Sequence, residues 1–301
     1  MQLLPIKVLM RGLFFLLLFL GGVPAMAYPE FTCAHEKDHN PPLDAEADTW
    51  FQEARSLEKD LRDWPRVVEL YEKAIGKNHW KAMHNLARLY RTGWPGRPGV
   101  EKDTQKMLDL YEQMVELKVP LGYYNWAVAA ERGKGMLRDD RMASSYMFQA
   151  AQLGSPQAQV ALGNYFAFSL PREKQDDPMA EQYFQCAGAQ DVPEAIIEAA
   201  QFYEIRKHNQ PRALFYYQRA ASLGSTAGFM ELYEVFSPES GPAFTRGYKS
   251  DKQLADFYKA HMYQVDENPD LRFPNLAKEH PLPPHPEQGL DAEHPDRRFA
   301  L

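Results

Sequence analysis

Apolar residues along most of this chain recur at intervals of three and four, the spacing that gathers them on one face of a helix. Between residues 63 and 236 the pattern is written five times. Its clearest marker is a hexamer: Leu70-Tyr71-Glu72-Lys73-Ala74-Ile75, Leu110-Tyr111-Glu112-Gln113-Met114-Val115, Tyr146-Met147-Phe148-Gln149-Ala150-Ala151, Tyr183-Phe184-Gln185-Cys186-Ala187-Gly188 and Tyr216-Tyr217-Gln218-Arg219-Ala220-Ala221. The second positions are separated by 40, 36, 37 and 33 residues. A fixed period of that size marks a repeat array.

A second marker keeps register. Eleven residues after each second position stands a small residue: Ala82, Gly122, Ala158, Ala195 and Gly228. Five further on come Ala87, Ala127, Gly163 and Ala200, with Tyr233 as the exception, and eight further on come Tyr90, Phe166, Tyr203 and Phe236, with Ala130 as the exception. Small residues let two helix backbones approach, and the aromatics fill the space where the next pair stacks. Neither helix of a unit can bury its apolar face alone. The pattern therefore predicts an all-α solenoid of about five helix-turn-helix repeats.

Both ends of the array have a predicted cap. Residues 44–62 form a first helix with Ala47, Trp50, Phe51, Ala54, Leu57 and Leu61 on one face, and residues 251–264 form a last one with Leu254, Phe257, Tyr258, His261 and Met262. Residues 237–242 read as a break. The stretch 265–301 contains Pro281-Leu282-Pro283-Pro284-His285-Pro286, which cannot continue a helix, and from Asn275 it reads as an extended tail, laid across the array or disordered.

At the other end, Lys7 and Arg11 precede an almost wholly apolar run over residues 12–23, and Ala25-Met26-Ala27 has the small-x-small form of a cleavage site. Residues 1–27 are therefore expected to be a secretory signal peptide, with no stable membrane insertion after cleavage. Its removal takes Lys+Arg from 34 to 32 against 41 Asp+Glu, so the mature chain carries a net charge of −9. That balance argues against nucleic acid, which needs a basic stripe to displace counterions, and suits a basic protein partner. The 45% hydrophobic and 25% charged composition is that of a folded domain.

Residues 28–43 read as a polar, solvated arm. Within it, His35-Glu36-Lys37-Asp38-His39 has the spacing of a zinc protease motif. That chemistry needs both histidines on one face of a buried helix, whereas this segment is charged throughout and is stopped by Pro41 and Pro42. No metal site or other cofactor site is assigned. The two cysteines, Cys33 and Cys186, are either free thiols or a bridge tying the arm to the fourth unit; secretion permits the bridge. Cys186 takes a hexamer position occupied elsewhere by Lys73, Gln113, Gln149 and Arg219, which predicts partial exposure.

The repeats resemble the Sel1-like family, relatives of the tetratricopeptide repeats. The resemblance rests on Leu86-Ala87-Arg88-Leu89-Tyr90, Gly99-Val100-Glu101-Lys102-Asp103, Gly133-Lys134-Gly135-Met136-Leu137-Arg138-Asp139 and Tyr216-Tyr217-Gln218-Arg219-Ala220-Ala221-Ser222-Leu223-Gly224. It departs at residues 170–177, where the third copy lacks the glycine loop. In such units the first helix of each pair lines the concave face, which implies a row running through His84, Arg88 and Arg91; Tyr124 and Val128; Val160 and Asn164; Ile197 and Gln201; Met230 and Glu234. This row begins basic, becomes apolar and ends acidic. Either a partner or the C-terminal tail is expected to cover its apolar centre.

The resemblance extends beyond the repeats to a branch of secreted bacterial Sel1-like proteins. It is carried by Cys33-Ala34-His35-Glu36-Lys37-Asp38-His39 with Pro41-Pro42-Leu43-Asp44, by Asp63-Trp64-Pro65-Arg66, by Lys77-Asn78-His79-Trp80-Lys81-Ala82 and by Asn268-Pro269-Asp270-Leu271-Arg272-Phe273. Members of that branch are periplasmic immunity proteins against phospholipase D-like effectors of type VI secretion. The resemblance implies a protein partner of that kind, bound and inhibited by occlusion of its active site or membrane-facing surface. The alternative is a periplasmic scaffold or regulator of the cell envelope. No phosphate loop, nucleophile elbow or clustered triad occurs, so the chain is read as a binding protein and not an enzyme.

Overall fold

A computed structural model describes Tyr28 and residues 30–289, so the expected signal peptide and the end of the Pro-rich stretch lie outside the described residues. A compact unit begins at Phe31. It opens with a single 3-10 turn, Glu36–Asp38, followed by a capping helix α1 (Ala45–Lys59). Outer helices α2 (Trp64–Ile75), α4 (Thr104–Glu116), α6 (Asp140–Gln152), α8 (Asp177–Gly188) and α10 (Gln210–Ser222) then alternate with inner helices α3 (Trp80–Thr92), α5 (Pro120–Arg132), α7 (Pro156–Asn164), α9 (Pro193–Gln201) and α11 (Thr226–Phe236). The expected break ends in a short helix, α12 (Pro242–Thr245), which is followed by α13 (Lys252–Glu267) and α14 (Leu276–Glu279). Among the described residues there is no β-strand, only an isolated bridge between His285 and Gly289.

The five hexamers fall on the outer helices and the five small residues on the inner ones. Local chemistry fixes where each begins. Asp63, Asp103, Asp139, Asp176 and Asn209 cap the outer helices by accepting from backbone amides of the first turn, while His79, Ser155 and Ser225 do the same for α3, α7 and α11. The helices α5 and α9 lack a side-chain cap and start with a proline, whose missing N–H is not needed there. Both α7 and α9 end in π turns, Tyr165–Ser169 and Phe202–Arg206, which the periodicity did not predict.

Packing follows the second marker. A Cβ on Gly122 would lie 2.5 Å from that of Met114, so α4 and α5 meet at a distance only glycine permits. Tyr90, Phe166, Tyr203 and Phe236 are buried, and Tyr203 stacks on Tyr216 with centroids 5.6 Å apart. One buried cluster spans α1–α5 and a second joins α6 to α14. Successive inner helices touch one another: α5 meets α7, α7 meets α9, and α9 meets α11. Lys59 at the end of α1 pairs with Asp270 after α13 at 3.5 Å, so the two ends of the array come within reach of each other.

Two expectations are corrected, and the alternatives for the tail are decided for its described part. The arm is not solvated but docked. The amide of Glu36 donates to Gln190 Oε1 at 2.9 Å, Gln159 Nε2 donates to the Ala34 carbonyl at 2.9 Å, and Phe31 lies 4.0 Å from the Tyr183 ring. Gly154, at φ +92°, has its open side against the arm, where a Cβ would fall 2.4 Å from the His35 carbonyl carbon. Cys186 is only 3% exposed. The described part of the tail is packed: Leu276 is buried, His280 stacks on Phe257 at 3.7 Å, and buried His285 bonds the Arg246 carbonyl at 2.8 Å.

Candidate partner-binding surface

The row anticipated from the repeats lies on the inner helices. At its start, His84 is half-buried and its Nδ1 lies 3.2 Å from Asn125 Nδ2, which links α3 to α5. Burial pushes the imidazole down to about 4, helped by the nearby Arg88 and Arg91 charges, so His84 is neutral at pH 7 and adds no charge to the row. Arg88 is not a free cation: it pairs with Glu58 of the cap helix, which also accepts from the Tyr71 hydroxyl at 2.7 Å. Arg91 remains exposed. Its guanidinium is near enough to Tyr111 and Tyr124 to oppose the rise that burial causes in both phenols.

The apolar centre is less open than the sequence suggested. Tyr124, Val128, Val160 and Ile197 are all half-buried, and Tyr124, Val160 and Ile197 pack against the C-terminal core cluster. The inner helices approach too closely for these side chains to stand clear. Asn164 donates to Glu198 at 3.1 Å, joining α7 to α9, while Gln201 is half-buried beside them. Ile197 and Glu198 open into a cleft of about 730 Å³ whose other walls include Pro193, Glu194, Thr226 and Arg272. From the C-terminal stretch, Val265, Asp266, Pro269 and Arg272 line this cleft; residues 276–289 pack instead on α10, α13 and the 246–248 turn. Met230 is exposed and Glu234 half-buried on α11, away from the apolar centre.

Sequence reasoning missed the charges that hold this surface in shape. Arg246, between the expected break and the last predicted helix, bonds both Glu204 and Glu231, and Glu204 also accepts from the Tyr217 hydroxyl at 2.7 Å. A signal for it existed. Glu58 and Glu204 each stand 13 residues before the hexamer tyrosine that they hold, Tyr71 and Tyr217.

On the edge where the outer helices turn into the inner ones, Cys33 and Cys186 are joined in a disulfide with Cα atoms 5.6 Å apart. His35 lies within 4.8 Å of both sulfurs. With the sulfurs bonded to each other, this group offers one ligand and fits no structural metal. The Glu36–Asp38 segment is one 3-10 turn and not the buried helix a zinc protease needs, with His35 half-buried and His39 exposed. Burial raises the Glu36 carboxyl, opposed by Lys81. Glu36→Gln should therefore leave partner binding unchanged, as a titration beside the unaltered protein would show.

The comparisons with known proteins agree with this architecture. The Sel1 repeat matches residues 80–118, 120–155, 156–192 and 193–225, four full units from α3 to α10, so the fifth copy counted in the sequence is divided between α2 and α11 at the two ends. Immunity protein PA5087 of Pseudomonas aeruginosa is 44% identical, with a TM-score of 0.75 over 89% of this chain and 100% of its own. Immunity protein PA5088 is 42% identical over 88% and 99%, and PA5086 is 43% identical over 89% and 100%, both with a TM-score of 0.74 and from the same organism. A Sel1 repeat protein from Oxalobacter formigenes, 21% identical with a TM-score of 0.54, shares the fold. No protein of curated function matches the chain. On the matched repeats and on its likeness to PA5086, PA5087 and PA5088 along their length, the chain belongs to the Sel1 repeat family.

Proposed function

We propose that the chain is a periplasmic immunity protein, exported by residues 1–27, that binds a phospholipase D-like effector of type VI secretion and covers its active site or its membrane-facing surface. The observation that carries this reading is likeness to the immunity proteins PA5087 and PA5088 over essentially their whole length. The repeat array supports it, because a stack of helix pairs offers a long surface for a protein partner. None of the residues described above could modify a toxin, so inhibition rests on affinity and slow release. Those properties come from a desolvated centre inside a charged rim.

On this reading Ile197 and Tyr124 belong to the centre and Arg91 and Glu234 to the rim. Truncating Ile197 or Tyr124 to Ala should weaken binding by roughly 1–3 kcal/mol. Since both side chains also pack against the core, thermal melts must accompany the titration. Changes at Arg91 and Glu234 should act chiefly on the association rate and its salt dependence. Glu72→Ala, exposed on α2, is the control. Gln218, an outer-helix position, does not serve as one, because it is buried and bonds the His280 carbonyl at 2.7 Å. Weaker binding in Glu72→Ala, with Ile197→Ala and Tyr124→Ala unaffected, would move the partner to the outer helices.

A further inference from the structure

The edge where inner helices turn into outer ones carries an exposed apolar side chain in unit after unit. Leu137, between α5 and α6, is 91% exposed; Phe168 in the π turn after α7 is 44%, Ile205 in that after α9 is 60%, and Phe244 in α12 is 52%. Because inner and outer helices alternate in direction, these turns all fall on one edge of the array. Cations flank them: Lys134 and Arg138 beside Leu137, Arg172 and Lys174 after Phe168, Arg206 and Lys207 after Ile205. Arg138 pairs with Asp140, Arg206 with Asp177 and Lys207 with Glu181, but Lys134, Arg172 and Lys174 make no ion pair among the described residues. Of the acidic groups on these turns, Asp140 and Asp177 are the partners just named and Asp139 and Asp176 accept from helix amides as caps, which leaves exposed Glu131 and Glu173 beside Lys134, Arg172 and Lys174. The opposite edge is occupied by the docked arm and by residues 271–273, where the Phe273 amide donates to the Ser222 carbonyl at 2.7 Å.

We propose that the inner-to-outer edge is a peripheral lipid-binding surface, in which Leu137, Phe168 and Ile205 enter the headgroup boundary of an anionic bilayer while Lys134, Arg172 and Lys174 meet phosphates. The form of the edge favours lipid over protein. A protein interface needs a continuous buried centre inside a rim, whereas here single apolar tips stand on separate turns. A fluid headgroup layer accepts separate tips, and basic residues beside them add attraction to anionic lipid. No helix of the described residues is long and apolar enough to cross a membrane, so the attachment is reversible and lies at the surface. This inference does not depend on the effector reading.

The test is flotation with vesicles of phosphatidylcholine alone and of phosphatidylethanolamine with phosphatidylglycerol. It uses the chain from Tyr28 onward, which contains the folded unit and lacks the apolar run at 12–23 that would itself enter lipid. The protein should float with the anionic vesicles and less with the neutral ones. Leu137→Ser/Phe168→Ser/Ile205→Ser, checked for an unchanged helical spectrum, should lose roughly a hundredfold in partitioning. Lys134→Ala/Arg172→Ala/Lys174→Ala should erase the preference for anionic lipid. A protein that stays in the soluble fraction with both vesicles, or a triple-Ser variant that floats like the parent, overturns the proposal. If the parent ignores vesicles and the triple-Ser variant loses the effector, the edge is a protein interface and the lipid assignment is wrong.

Discussion

Arg246→Ala should destabilise the C-terminal half of the array by about 3–5 kcal/mol, the largest effect expected of any single side chain outside the apolar core. The guanidinium is 9% exposed and lies between Glu204 and Glu231, whose side chains are 21% and 18% exposed. Removing it leaves two carboxylates facing each other in a partly dry site, where the Tyr217 hydroxyl still donates to Glu204. The loss should depend on pH in a defined direction. Burial already raises the Glu231 carboxyl, and Arg246 opposes that rise. Without Arg246 the folded-state value climbs further above the unfolded one, so the folded protein holds its proton more tightly. The deficit is then greatest near neutrality and shrinks as pH falls through the raised range. Urea titrations at several pH values would show this; a deficit that grows on acidification would mean that Arg246 acts through something other than these two carboxylates.

Cys33→Ala with Cys186→Ala should cost about 2–4 kcal/mol, because the bridge closes a loop of 153 residues in the unfolded chain and fastens the arm in the folded one. The arm is a seam between distant parts of the array, with Glu36 beside Gln190 and close enough to Lys81 to feel its charge. Its release should also uncover Tyr183, against which Phe31 packs. Thermal melting with and without reductant would measure the effect. The parent should melt lower when reduced and the double variant should be indifferent to reductant. Equal melting temperatures for parent and variant would show that the arm is held by Gln159 and Gln190 without the bridge.

What could be read in advance followed from distance along the chain. The helices were legible because each is fixed by neighbours three and four residues away and by a cap one residue before its start, and the Ala82 and Gly122 register named the tight contacts. Features built from remote partners were not. Nothing near Glu36 announces Gln190, 154 positions away, so a segment with charged residues and prolines looked solvated. The burial of Cys186 has the same cause, since the surface it occupies on α8 is covered by that arm. Arg246 lay in a stretch whose Pro and Gly content hid a buried ion network. The row residues lie on α3, α5, α7, α9 and α11, and their electrostatics depend on remote partners: Arg88 pairs with Glu58, and His84 is neutral.

Calorimetric titration of the purified protein with a phospholipase D-like effector of type VI secretion, with lipid hydrolysis followed on the same mixtures, tests the proposed inhibitory binding most directly. Saturable binding is expected, with hydrolysis extinguished at the ratio where the heat saturates, and both weakened by Ile197→Ala. Absence of binding, or hydrolysis that continues at saturation, would contradict it.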